Sequence, residues 1–283
     1  VRSIDKAKRI FGESIDSSLK IYVADVINEI HIDESVDYIF HCASVTASKI
    51  MIEKPVETLL TSIEGTKNIL NLAREKKCIS VVYISSMEMY GAFDISKEVR
   101  ENDLGFIDNL KVRSNYPESK RLCENMCVAY CSEYGVPVKI ARLAQTFGTG
   151  ILPEENRVFA QFARSAISNS DIVLHTKGQS EGNYCYTRDC ITGLLTILLK
   201  GKNAEAYNVS NPETHITISE MANLVADKIA EGKIKVVFDI PKDNSFGYAA
   251  DTRMILNSDK LQELGWKPEV GLEEAYRRMI MDM

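Results

Sequence analysis

The sequence predicts an α/β fold, a doubly wound parallel sheet followed by a smaller C-terminal α/β lobe. Three observations carry that prediction. Short apolar runs of strand length alternate with longer amphipathic segments between Lys20 and Leu143, the pattern of βα units stacked into a parallel sheet. Several of these runs end in small or polar residues, as strands do where they open onto a ligand. After Gly148 the alternation loosens, which places a division near residue 150.

Taken in order, Val1-Arg2-Ser3 reads as the end of a strand, followed by a helix from Ile4 to Phe11. Lys20 to Val23 and Val36 to His41 read as buried strands, the first followed by Asp25 and the second by Ala43 and Ser44. Between Pro55 and Lys76 the positions Val56, Leu59, Leu60, Ile63, Ile69, Leu70 and Leu72 suit one long crossover helix. Gly65 lies inside it, where glycine costs about 1 kcal/mol against alanine, so a close approach of another segment is expected there. Val81 to Ser85 is the next strand, Tyr116 to Tyr134 the next helix and Val136 to Leu143 the strand after that, with parallel pairing and right-handed crossovers. The second lobe is read as a helix from Val158 to Ile167, strands Ile172 to His175 and Tyr207 to Val209, a helix from Ile218 to Ala230, a strand Lys235 to Phe238, and helices Asp259 to Leu264 and Leu272 to Met281. Its segments are expected to return to the main sheet.

With 283 residues, 45% of them apolar, the chain is near the upper range for a single hydrophobic core. Thirty-four basic against 40 acidic residues give a net charge of −6, which argues against a general nucleic-acid or anionic-membrane surface while leaving room for a local basic pocket. No apolar run reaches membrane length and no signal-peptide pattern opens the chain, so no membrane association is expected. Seven cysteines without C-x-x-C pairs point to a reducing cytoplasm. Cys123, Cys127 and Cys131 recur every four residues along one helix stripe and are expected to be buried thiols acting as small hydrophobes. The four histidines lack metal-ligand spacing, so no metal centre is expected.

Tyr116-Pro117-Glu118-Ser119-Lys120 carries the chemistry. A tyrosine four residues ahead of a lysine at a helix start sets phenol and ammonium on one face, a turn apart. A neighbouring cation favours the phenolate, so Tyr116 suits the removal of a proton from an alcohol near neutral pH, although an isolated tyrosine titrates near roughly 10. Upstream, the run Val81-Val82-Tyr83-Ile84-Ser85-Ser86-Met87-Glu88-Met89-Tyr90-Gly91 leaves hydroxyls and a carboxylate at the carboxyl end of a strand, so Ser86 and Glu88 are expected beside a substrate.

These segments, with Asp25-Val26, His41-Cys42-Ala43-Ser44, Gly65-Thr66, Arg142-Leu143-Ala144-Gln145-Thr146-Phe147-Gly148, Tyr184-Cys185-Tyr186-Thr187-Arg188-Asp189 and Tyr207-Asn208-Val209, resemble the extended short-chain dehydrogenases/reductases, specifically the NAD-dependent nucleotide-sugar epimerase/dehydratase family. The resemblance runs along nearly the whole chain. It implies a Rossmann-like NAD-binding domain over 1–150, N-terminally incomplete, and a substrate lobe over 151–283. It also implies that Tyr116 takes the proton from a sugar C4 hydroxyl, that Lys120 holds the nicotinamide ribose, that Ser86 hydrogen-bonds the C4 oxygen and that Glu88 is the base at C5. Asp25, Val26, Ala43 and Ser62 are implied to contact the cofactor, together with Tyr116 and Lys120. A homodimer through the helices Pro55 to Lys76 and Tyr116 to Tyr134 is likewise implied.

Four departures from the family pattern bear on this. The glycine-rich turn that holds the NAD pyrophosphate has no counterpart in the chain. Met87 stands where dehydratases generally carry an acid or a small polar residue, which keeps dehydration, epimerisation and decarboxylation all open. Ser62 stands for a family asparagine. Gly182 stands for the arginine that clamps the substrate diphosphate, a bidentate task glycine cannot do; Arg157, Arg188 and Arg277 are the available replacements. The alternatives are a non-catalytic relative serving as a binding or assembly protein, and an NADP-dependent carbonyl reductase that uses Ser86, Tyr116 and Lys120 without Glu88.

Overall fold

The computed structural model describes residues 1–15, 18–241 and 251–283. In chain order its elements are α1 (Ile4–Phe11), β1 (Tyr38–His41), α2 (Ser48–Glu53), α3 (Pro55–Lys76), β2 (Ser80–Ser86), β3 (Lys97–Val99), α4 (Asn115–Tyr134), β4 (Val138–Leu143), β5 (Gln145–Phe147), α5 (Val158–Ser168), β6 (Ile172–Leu174), β7 (Glu181–Gly182), β8 (Tyr184–Tyr186), α6 (Thr187–Lys200), β9 (Ala206–Val209), β10 (Ile216–Thr217), α7 (Ile218–Leu224), β11 (Val236–Phe238), β12 (Met254–Leu256), α8 (Asp259–Gln262) and α9 (Leu272–Ile280). The central sheet has the order β1-β2-β4-β9, with β1 on β2 and β4 on β9 both parallel, as the alternation predicts. The chain forms two compact units, Val1–Tyr83 with Asp108–Lys139, and Ile84–Ile107 with Ile140–Met283. Strands β2 and β4 each begin in the first and end in the second.

In the first unit α3 packs against α4. Pro55 opens α3, where its fixed φ suits a first turn and its missing N–H costs nothing. Gly135 closes α4 in the left-handed region, its N–H donating to the carbonyls of the last turn. Gly65 meets the expectation of a close approach, since a Cβ there would lie 2.8 Å from Val26 Cγ1. Two strand readings need correction. Lys20 to Val23 does not form a ladder: Val1 N donates to Tyr22 O at 2.8 Å and Ala24 N to Val1 O at 2.9 Å, so one residue supplies the pairing. Tyr38 and Phe40 of β1 are exposed rather than buried, because β1 is an edge of the sheet.

The second unit is cored by aromatic rings. Phe147 stacks on Phe159 with centroids 4.8 Å apart and meets Tyr276 at 5.2 Å. Helices α2 and α6 were not foreseen, and the expected helix from Ile218 to Ala230 is α7 continued by a π turn, Val225–Ile229. Asp189 in the first turn of α6 is buried and accepts from the N–H groups of Glu269 and Val270, each at 2.8 Å, tying α6 to the segment before α9.

Candidate active site

Helix α4 starts at Asn115, so its first two turns carry Tyr116 and Lys120 on one face, both buried at 7% and 3% exposure. The Lys120 Nζ is 5.6 Å from the centre of the Tyr116 ring and 5.0 Å from that of Tyr83. Burial lowers the Lys120 pKa to about 8, against the opposing pull of Cys123, Glu124, Cys42 and Cys127. Tyr116 has a second cation near its ring, the Arg113 guanidinium, 5.6 Å from the centroid. Asn115 donates its Nδ2 to Met51 O at 2.6 Å, and its buried Oδ1 has no partner among the described residues. A hydrogen-bond acceptor is therefore available one residue from Tyr116.

The residues matched to cofactor contacts lie elsewhere in the same unit. Asp25 and Val26 are half-buried. Asp25 Oδ1 accepts from Ile27 N at 3.2 Å, and Val26 covers Gly65 while its carbonyl accepts from Asn68 Nδ2 at 2.9 Å. Ala43, just past β1, is exposed. Ser62 is buried on α3 with its hydroxyl donated to Thr58 O at 3.1 Å, and its own carbonyl accepts from Cys123 Sγ at 3.3 Å. His41 is a core residue, its Nε2 3.2 Å from Thr66 Oγ1 and its ring 5.6 Å from that of Tyr83; burial, then the Lys120 charge, lowers its pKa to about 4. Cys123 and Cys127 are buried and Cys131 half-buried.

Ser86 and Glu88 belong to the second unit. Ser86 ends β2 in an extended conformation, and its hydroxyl accepts from Glu88 N at 3.2 Å, capping a short 3-10 turn, Met87–Tyr90. Glu88 is half-buried between the buried Met87 and Met89. The turn can close only on glycine: Gly91 has φ 78°, and a Cβ there would lie 2.5 Å from Phe106 O. Among the described residues a Cβ on Gly182 would meet only the terminal methyl of Met87, at 3.8 Å, so two positions that depart from the family pattern are neighbours in space.

The arginines available to replace the one missing at 182 are engaged. Arg157 holds Glu155 at 2.7 Å, Arg188 pairs with Glu269 and Asp189, and Arg277 pairs with Glu273 at 2.7 Å. Sequence reasoning used Arg142 only as part of a motif and missed its setting. Buried at 7% exposure on β4, its NH1 donates to Tyr90 Oη at 2.9 Å and to Glu101 O at 2.7 Å. The available signal was the pair of cations, Lys139 and Arg142, inside an otherwise apolar strand.

The donor set suits a dinucleotide in part. Lys120 offers a buried ammonium for ribose hydroxyls, Asp25 an acceptor and Val26 an apolar face, while no glycine-rich turn is present for the pyrophosphate. Comparison with known proteins identifies the family. A family model described as the NAD dependent epimerase/dehydratase family matches residues 13–210. The chain is 30% identical to UDP-glucuronic acid decarboxylase 1 of Danio rerio over 90% of its length and 59% of the relative's, so it spans about three fifths of that protein. It is 27% identical to dTDP-D-glucose 4,6-dehydratase of Homo sapiens over 87% of this chain and 68% of the relative. The fold matches that of a UDP-glucose 4-epimerase from Thermotoga maritima, solved with UDP-glucose, at a TM-score of 0.76 and 22% identity, covering 87% of this chain and 76% of that one. Motif order, parallel sheet and family model converge: the chain belongs to the NAD-dependent epimerase/dehydratase family.

Proposed function

We propose that the protein transiently oxidises C4 of a nucleotide-activated sugar and yields an epimerised, dehydrated or decarboxylated product. The observation that carries this reading is the buried Tyr116–Lys120 pair one helical turn apart, with the ammonium drawn down to about 8. Tyr116 accepts the C4 hydroxyl proton, and the cations Lys120 and Arg113 near its ring favour the phenolate that does so. NAD, when bound, accepts the hydride from C4. Lys120 holds the nicotinamide ribose; Asp25, Val26, Ala43 and Ser62 contact the cofactor on the family resemblance, which also assigns Ser86 to the C4 oxygen.

Oxidation at C4 makes the C5 proton acidic, and Glu88 is the base that removes it. Met87 can neither give nor take a proton, so a reaction that needs a second acid is disfavoured. Epimerisation and decarboxylation need none; in decarboxylation the C5–C6 bond breaks, carbon dioxide leaves and C5 takes up a proton, which Glu88 in its acid form would give, and the similarity to UDP-glucuronic acid decarboxylases supports this reaction. Residues 1–150 are read as the cofactor part and 151–283 as the sugar part, in a cytoplasmic homodimer.

The test uses the full-length protein. Sugar nucleotides should raise a transient absorbance of reduced nicotinamide, and mass spectrometry of the products should separate loss of carbon dioxide, loss of water and no mass change. Glu88→Gln should keep the transient and lose C5 proton exchange. Unchanged exchange would remove Glu88 from its role, and absence of any transient would return the chain to the non-catalytic reading.

A further inference from the structure

Within the second unit, one buried polar network converges on the turn that bears Glu88. Tyr90, fully buried, donates its hydroxyl to Asn208 Oδ1 at 2.6 Å and accepts from Arg142 NH1 at 2.9 Å. Arg142 and Asn208 are directly paired across β4 and β9, so the sheet register sets the spacing of both partners of that phenol. The far side is tied as well. Arg142 NH1 reaches Glu101 O at 2.7 Å, Asn208 N donates to Glu101 Oε1 at 2.8 Å, and Asn208 Nδ2 donates to Asn257 O at 2.8 Å. Tyr90 O accepts from Gly105 N at 2.7 Å, and Gly91 N donates to Glu88 O at 3.1 Å. Burial raises the Tyr90 pKa to about 12, so the phenol remains a neutral donor throughout the working range.

Burying a guanidinium costs free energy unless it is well bonded, and a core aromatic needs no hydroxyl to fill space. Phenylalanine at 90 and an apolar residue at 142 would fill this volume without that cost. What the polar version adds is direction: it fixes the rotation of Tyr90 about the sheet, and through a four-residue turn the place of the carboxylate two residues earlier. We propose that Arg142, Tyr90 and Asn208 are positioning residues for Glu88, a clamp that sets where the C5 base stands while touching no substrate. This rests on the reading of Glu88 given above.

Tyr90→Phe in the full-length protein deletes one oxygen and with it the bonds to Asn208 and Arg142. Two readouts are expected to move. By hydrogen–deuterium exchange, the amides of 87–91 and of Gly105 should exchange at least about tenfold faster while those of α4 keep their rates. In solution kinetics, C5 proton exchange should fall about 10- to 100-fold, with KM and the nicotinamide transient within about twofold of the parent. Arg142→Lys, which keeps the charge but not the two-bond geometry, should move both readouts the same way, and it serves if Tyr90→Phe does not fold. Unchanged amide protection in a folded variant overturns the clamp, as does a loss of C4 oxidation equal to the loss of C5 exchange. Glu88→Gln run in parallel separates the two ideas: if it leaves C5 exchange intact, the assignment of the base fails, whereas faster amide exchange in Tyr90→Phe still establishes the clamp on the turn.

Discussion

His41 and Lys120 are both held below their ordinary pKa by burial, with opposite meaning for the two. For Lys120 the depressed value keeps a labile ammonium beside a phenol. For His41, facing Thr66 and Tyr83 with the Lys120 charge nearby, the result is a neutral ring. The folded chain refuses a proton that the unfolded chain binds below about 6.5, so the stability contributed by neutral His41 is complete above that pH. It is lost as pH falls through about 4. Acidification from pH 7 to 4 should therefore cost the parent up to about 3 kcal/mol more than His41→Gln, measured as urea midpoints at several pH values. Tyr116 and Lys120 were legible because their chemistry is local, four residues apart on a helix. Arg142 was not, since its partner Tyr90 is 52 positions away and no spacing rule connects them.

At the scale of elements, α3 and α4 were readable almost to the residue because long amphipathic runs with a proline start or a glycine stop leave little choice. Helix α6 was missed: Thr187, Ile191, Thr192, Gly193 and Thr196 lower its helix propensity, and burial of Cys190, Ile197 and Leu198 with the anchoring of Asp189 overrides that. The strand expected at Lys20 to Val23 failed for the converse reason, adequate β propensity with almost no partner. Gly65 joins two elements, and its effect can be measured. Gly65→Ala gains about 1 kcal/mol of helix propensity but drives a methyl to within 2.8 Å of Val26 Cγ1, and overpacking of that kind typically costs about 1–3 kcal/mol. A net loss of up to about 2 kcal/mol is expected in chemical denaturation. Val26→Ala in the same chain should recover most of it; simple additivity of the two changes would refute the packing account.

For the molecule as a whole, the proposed homodimer uses faces that the first unit leaves apolar. Val56 and Leu60 on α3 are 65% and 49% exposed one turn apart, and Leu122 and Val128 on α4 are also exposed. Leu60→Asp should shift the full-length protein from dimer to monomer in light scattering, and a persistent dimer would place the contact elsewhere. The sequence order of motifs specified the family, yet it could not reveal that Met87 and Gly182, almost a hundred positions apart, sit side by side. That adjacency has a steric consequence. Among the described residues, the first carbon of a side chain grafted at 182 would touch nothing but a pliable thioether methyl, so the backbone there can accept a methyl without displacing a neighbour.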